Sequence, residues 1–210
     1  MTYIFDLDGT LTDTNGLWAE VDAEFLRRRG LAPTPEYARE IMRCTFVSAA
    51  ALTKRLYNLP DTPEELMAEW ENMAARHYTD LAPLKEGAGA FVRQCAAKGH
   101  TLAVFTACRP TLCRAALARL GLLDLFVHLV FAEELSYEKW DPRCYTELCT
   151  LVGAQPAECV FFDDSPDNCA AAAKAGLSVV GVYDAHFAAR QDEMRNVCGR
   201  YVHSLQELVR

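Results

Sequence analysis

The sequence predicts an α/β fold: a doubly wound parallel sheet with an all-helical segment inserted after the first strand. Three observations predict it. Short apolar runs of strand length end in polar or acidic residues and alternate with helix-like stretches. Gly99, Gly121, Gly153 and Gly176 fall just past those stretches, where helices tend to stop. About 100 residues separate the first two apolar runs, far more than one crossover helix needs.

In chain order, strands are expected at 3–5, 101–105, 128–131, 159–162 and 178–182, most of them rich in Val, Phe or Ile. Helices are expected near 86–98, 110–120, 141–152 and 166–175. Buried apolar strands alternating with helices imply a parallel sheet covered on both faces, which places ligands at the carboxyl ends of its strands. Asp6, Thr106 and Asp163 fall there. Residues 14–80 read as helices throughout. Trp18, Val21, Phe25 and Leu26 mark one apolar face, and Leu66, Met67, Trp70 and Met73 mark another. Pro33, Pro35, Pro60 and Pro63 mark breaks. The expected organisation is a core of residues 1–13 and 81–210 with a helical lid of residues 14–80 over the strand ends.

Composition narrows the function. The 210 residues are 51% hydrophobic, which excludes a disordered chain. A net charge of −8, from 21 basic and 29 acidic residues, argues against nucleic-acid or anionic-membrane partners. It leaves an anionic substrate open, because one metal ion reverses the local field. The nine cysteines are an odd number without any Cys-x-x-Cys pair, so reduced thiols are expected. The first residues show neither a basic nor an apolar leader segment, and no apolar run reaches membrane-spanning length, so the expected location is the cytoplasm.

The strongest chemical signal is the run Phe5-Asp6-Leu7-Asp8-Gly9-Thr10-Leu11-Thr12-Asp13-Thr14. Two aspartates one residue apart point opposite ways along a pleat. A turn at Gly9 lets both carboxylates approach one bound atom, and lets backbone N–H groups come near an anion. By itself an Asp-x-Asp pair equally describes a capped turn. Thr106 alone reads as a helix cap, Lys139 as a solvated surface group, and Asp163-Asp164-Ser165-Pro166 as a helix start.

Together these stations resemble the haloacid dehalogenase-like phosphohydrolases. Asp6-Leu7-Asp8-Gly9-Thr10 is similar to the first motif of that family, Val104-Phe105-Thr106 to the second, Lys139 with Asp141-Pro142 and Tyr145 to the third, and Phe161-Phe162-Asp163-Asp164-Ser165 to the fourth. The helical segment after motif one resembles the type C1 cap. The resemblance implies Asp6 as nucleophile forming an aspartyl-phosphate, and Asp8 as acid and base. It implies Thr106 and Lys139 as donors to the phosphoryl group, and Mg²⁺ held by Asp6, the Asp8 carbonyl and Asp164. Asp163 is either a second ligand or a partner behind the ligands. Hard oxygen donors beside a phosphate suit Mg²⁺.

The resemblance also implies a small phosphorylated metabolite as substrate, with a sugar phosphomutase as the alternative activity. The mutase-like members carry a histidine after motif one, where this chain has Trp18 and no histidine before His77. A dehalogenase would lack the equivalent of Asp8, and a non-catalytic phosphate-binding protein would not need the full set. Two departures stand out: Glu138-Lys139-Trp140 replaces the usual Gly-Lys-Pro, and Lys85-Glu86-Gly87 stands where Pro-Gly is common. Arg109 follows motif two and is a candidate substrate contact. Trp18 is a candidate cavity wall, and Arg43, Lys54 and Arg55 are candidate lid cations. Arg27-Arg28-Arg29 reads as a solvated helix face.

Overall fold

The computed structural model describes residues 1–41 and 43–210. β1 (Thr2–Phe5), β2 (Thr101–Thr106), β3 (His128–Phe131), β4 (Cys159–Asp163), β5 (Ser178–Val182) and β6 (Arg200–Val202) form one parallel sheet in the order β3-β2-β1-β4-β5-β6. The chain fills one side of β1, then crosses back to fill the other. The reversal falls between β1 and β4, and in such sheets a crevice opens beyond the strand ends at that point.

The pairing register makes the sheet two-sided. Ile4 lies beside Ala103 and Phe161, and these share one core; Phe5 lies beside Val104 and Phe162, and these share the other. On the second face Phe5 stacks on Phe162 at 4.5 Å, and Phe91 of α5 (Ala88–Ala97) meets both rings edge-on. On the first face Tyr145 of a later helix closes edge-on over Phe105 and Phe161.

Three more crossover helices occupy the expected places: α6 (Pro110–Arg119), α7 (Pro142–Leu151) and α8 (Pro166–Lys174). Each begins with proline at its first position, where the missing N–H costs nothing. α9 (Gln191–Val197) and β6 are absent from the sequence expectation. Met194 is the buried residue of α9, and β6 is a three-residue edge strand, so neither carries a periodic apolar signal. The cysteines are free thiols, most of them packed as small apolar side chains. Among the described residues, no helix is long and apolar enough to cross a membrane.

Between β1 and β2 the chain is helical, but not throughout. The insertion holds α1 (Asn15–Arg28), α2 (Pro35–Ile41), α3 (Phe46–Tyr57) and α4 (Pro63–Arg76), then one π turn at His77–Leu81. Pro33 and Pro60 sit in the breaks, whereas Pro35 and Pro63 open helices. Thr62 and Glu65 form a capping box that fixes the start of α4. Val21, Phe25, Leu66 and Trp70 join the same core as Phe5 and Phe162, so the insertion packs onto the sheet as one body with it.

Phe162 is the ring on which this packing converges, and it is fully buried. Phe162→Ala is expected to destabilise the protein by about 3–5 kcal/mol, read as a lower urea midpoint with an unchanged slope.

Candidate active site

β1 delivers Asp6 to the strand end, where its amide donates to the Phe162 carbonyl at 2.9 Å. That bond extends the β1–β4 pairing by one residue and faces the Asp6 carboxylate into the crevice. The chain then turns. Gly9 has φ of +84°, and its N–H donates to the Thr12 carbonyl at 2.7 Å. A Cβ at Gly9 would overlap the Asn15 and Asp164 side chains, so glycine is required both by conformation and by space. The turn carries Asp8 back to the cavity that Asp6 faces, as the motif spacing suggested.

Lys139 occupies the centre. Its Nζ donates to Asp6 Oδ1 at 2.7 Å, Asp163 Oδ2 at 3.0 Å and the Phe105 carbonyl at 3.2 Å. Burial works against the ammonium, but Asp163 and Asp6 outweigh it and hold its pKa above the ordinary lysine range. Asp163 is saturated with donors: Lys139, the Ser165 amide at 2.8 Å, and the Asn168 amide nitrogen at 3.2 and 3.3 Å. Asp164 instead accepts from the Thr10 hydroxyl at 3.1 Å and Asn15 Nδ2 at 2.8 Å.

Four carboxylates therefore face one lysine. Burial pushes Asp6 upward, Lys139 pulls against it, and Asp163 and Asp8 add repulsion. Burial, then repulsion from Asp163, Asp6 and Asp184, raises Asp164 well above the carboxylate range. Such a donor set is short of positive charge and suits a hard cation. Among the described residues, no three acidic, histidine or cysteine side chains enclose an ion, because Lys139 stands between Asp6 and Asp163 while Asp164 turns to Asn15.

Sequence reasoning passed over the groups that hold Asp8. Its Oδ1 accepts short hydrogen bonds from the Thr14 and Tyr78 hydroxyls, and Trp18 Nε1 donates to the Tyr78 hydroxyl at 2.7 Å. Burial raises the Asp8 carboxyl, and the Thr14 and Tyr78 bonds offset part of this. Tyr78 lies in the π turn, 70 residues from Asp8, with no pattern in the sequence to connect them. Asn168, five residues past Asp163 and on the next helix, was within reach of a motif reading.

Thr106, at the end of β2, is buried and lines the same cavity of about 220 Å³. Its hydroxyl oxygen accepts from the Cys108 amide at 3.0 Å. Trp18 lines the cavity, and so does Arg43, which is mostly exposed and donates to Asp167 at 3.0 Å.

The other cations lie elsewhere. Arg109 is outside the lining, bound to Glu133 at 2.6 Å and to Glu71 of α4 at 3.2 Å. Lys54 donates to the Leu59 and Pro60 carbonyls in the loop after α3, and Arg55 faces Glu40. Arg27 and Arg28 are solvated, but Arg29 is not: it packs over Phe25 and binds Asp61 and Glu69.

A parallel sheet that gathers acids at its strand ends, with one amine from the loop before α7, beneath inserted helices defines a covered α/β enzyme site. Residues 1–176 match the family model of the haloacid dehalogenase-like hydrolases, and the chain belongs to that family. It is 29% identical to validoxylamine A 7'-phosphate phosphatase of Streptomyces hygroscopicus subsp. limoneus, over 87% of this chain and 85% of that one. It is 27% identical to hexitol phosphatase B of Escherichia coli, over 85% and 82% respectively. Among solved structures, β-phosphoglucomutase of Clostridium difficile superposes with a TM-score of 0.80 at 16% identity, covering 99% of this chain and 92% of that one. That likeness is one of fold.

Asp22 also lines the cavity. Burial pushes its carboxyl up to about 6, offset in part by the hydrogen bond from the Tyr37 hydroxyl at 3.1 Å. An acid whose pKa is higher folded than unfolded binds protons preferentially in the native state. It destabilises the fold above its folded pKa and stops doing so below its unfolded one. Asp22→Asn is therefore expected to stabilise the protein by about 1–3 kcal/mol near pH 7.5, a gain that fades between about pH 6 and pH 4. Urea unfolding of both proteins at the two ends of that range checks it; an equal gain at the acid end contradicts it.

Proposed function

We propose that the protein hydrolyses phosphate monoesters of small metabolites through an aspartyl-phosphate on Asp6, with Mg²⁺ as cofactor. The observation that carries this reading is Lys139 Nζ bridging Asp6 and Asp163 in a covered cavity that Asp8 and Thr106 also line. Relatives named as phosphatases of phosphorylated metabolites support the same reaction class.

Asp6 Oδ attacks phosphorus, and the bond from phosphorus to the leaving oxygen breaks. Asp8, raised by burial and aimed by Tyr78 and Thr14, gives its proton to that oxygen. A water then attacks phosphorus, the bond to Asp6 breaks, and Asp8 takes the proton of the water. Thr106 and Lys139 donate to the phosphoryl oxygens, where charge spreads in the transition state. Tyr78 joins the acid to the inserted helices, so closure of those helices and orientation of Asp8 are one event.

The donor chemistry fits Mg²⁺: the side chains of Asp6 and Asp164 and the carbonyl of Asp8 would hold it. Its charge would neutralise the phosphoryl oxygens and the crowded acids. Asp163 is assigned to hold Lys139 rather than the ion, because its oxygens already accept from Lys139, Ser165 and Asn168. Residues 14–80 act as the lid and the remainder as the catalytic core.

Turnover of p-nitrophenyl phosphate should disappear with EDTA and return with Mg²⁺; undiminished activity in EDTA contradicts the cofactor. Asp6→Asn should abolish turnover, and Asp8→Asn should lower kcat by about 10²–10⁴-fold. Inorganic phosphate, not an isomerised ester, should accumulate from hexose phosphates. An isomerised product with little free phosphate would establish the mutase reading instead.

A further inference from the structure

Lys85 departs from the motif pattern, and the phosphoryl chemistry leaves it unused. It stands where the chain returns from the inserted helices to the core. There Thr12 and Leu84 form an antiparallel bridge, the Asp13 amide donates to the Pro83 carbonyl at 3.0 Å, and the Lys85 amide donates to the Leu11 carbonyl at 2.9 Å. The backbone of Lys85 is thus tied to the loop that follows Asp8. Its side chain reaches the loop after β5, where Nζ donates to the Tyr183 carbonyl and to Asp184 Oδ2, both at 2.7 Å. The pair is shielded from water: the Lys85 side chain is 15% exposed and that of Asp184 6%.

From Asp184 the network continues to Asp164. Asp184 Oδ1 accepts from the His186 amide at 2.9 Å. Burial works against the carboxylate, but hydrogen bonds from Lys85, the His186 amide and the Asn15 side chain hold its pKa below the ordinary aspartate range. Asn15 Nδ2 also donates to Asp164 Oδ2 at 2.8 Å. The carboxamide of Asn15 therefore serves two carboxylates, and the charge of Asp184 reaches Asp164 as repulsion. On its other side this contact is closed by the motif-one turn, since a Cβ at Gly9 would overlap both Asn15 Nδ2 and Asp164 Oδ2. Asn15 opens α1, and Lys85 lies just past the insertion, so both crossings between lid and core meet in one network.

We propose that Lys85 and Asp184 are positioning residues for the divalent cation, holding Asp164 through Asn15 in the orientation that binds the ion. This rests on the reading of Asp164 as a Mg²⁺ ligand and deepens it. Ligating carboxylates are aimed by the donors behind them, and losing such a donor costs about 10–100-fold in metal affinity. Asn15 is such a donor to Asp164, and Asp184 competes for it. Lys85 settles that competition by giving Asp184 a cation of its own. Without Lys85, Asp184 is a buried charge short of a counter-ion, and it draws on the Asn15 carboxamide at the expense of Asp164. Charge alone predicts the opposite, because removing a nearby cation strengthens the pull on Mg²⁺. The sign of the Lys85 effect therefore separates aim from charge.

The test is binding of Mn²⁺, which takes the same oxygen donors, to the metal-free protein, read from the electron paramagnetic resonance of the free ion. Lys85→Met and Asn15→Ala should each raise Kd by about ten-fold or more. The double variant should bind no more weakly than the weaker single one, because both act through one contact. With p-nitrophenyl phosphate, kcat should recover at saturating Mg²⁺, whereas a merely structural fault lowers it at every concentration. Folded Lys85→Met that binds Mn²⁺ as tightly as the unmodified protein, or more tightly, overturns the proposal and leaves the phosphatase reading standing. Losses that add in the double variant overturn it too. Should Lys85→Met not fold, Asn15→Ala in the first turn of α1 decides, and unchanged affinity there overturns the proposal. An unmodified protein that neither binds Mn²⁺ nor releases phosphate overturns the phosphatase reading and the proposal with it.

Discussion

The structure depends on how negative charge is held where water is scarce. Asp6, Asp8, Asp163 and Asp164 are gathered at the ends of β1 and β4, and Lys139 is the cation set among them. Like charges at such distances in a buried site favour protonation unless a cation or hydrogen bonds intervene. The chain divides that task. Asp163 is satisfied by an amide, an amine and a carboxamide, and Asp164 by Thr10 and Asn15. Asp6 remains with Lys139 alone as its donor side chain.

A second constraint follows from the insertion. Helices placed between β1 and β2 must return to the sheet, and the contacts they make there tie lid to core at several points. Tyr78 holds Asp8, Glu71 holds Arg109, Arg43 holds Asp167, and Glu138 receives the N-terminus of α3 at Thr45. Two of the ties, Arg109–Glu71 and Arg43–Asp167, are partly exposed ion pairs where water competes, so each is individually weak. The Tyr78 tie is buried and joins the π turn at the end of the insertion to Asp8. The replacement of Gly-Lys-Pro by Glu138-Lys139-Trp140 gains its meaning here: Glu138 accepts from Thr45 at the start of α3, Lys139 binds Asp6 and Asp163, and Trp140 stays at the surface.

The legible parts of the fold were those with a local signature. Five of the six strands are short apolar runs whose positions stand in the chain, whereas the three-residue β6 carries no such signal. Asp6, Thr106 and Asp163 lie at or just past the ends of such runs, where a pattern boundary is also a ligand position. Arg109 illustrates the opposite case. Its position after motif two suggested a substrate contact, yet the guanidinium lies between Glu133 and Glu71, partners 24 and 38 residues away. Arg29 likewise reads as a surface group in a basic run, and only the approach of α4 makes it a buried-stem anchor over Phe25.

The sequence by itself determined the alternation of strands and helices, the long helical insertion and the acids and lysine that mark the site, because each follows from local periodicity or from a short motif. Tertiary structure alone decided which groups aim those residues: Tyr78 on Asp8, Asn15 on Asp164, and Asn168 on Asp163. The reason is physical. Hydrogen-bond partners and cavity walls are set by where distant helices pack, and packing is a property of the whole core rather than of any stretch of chain.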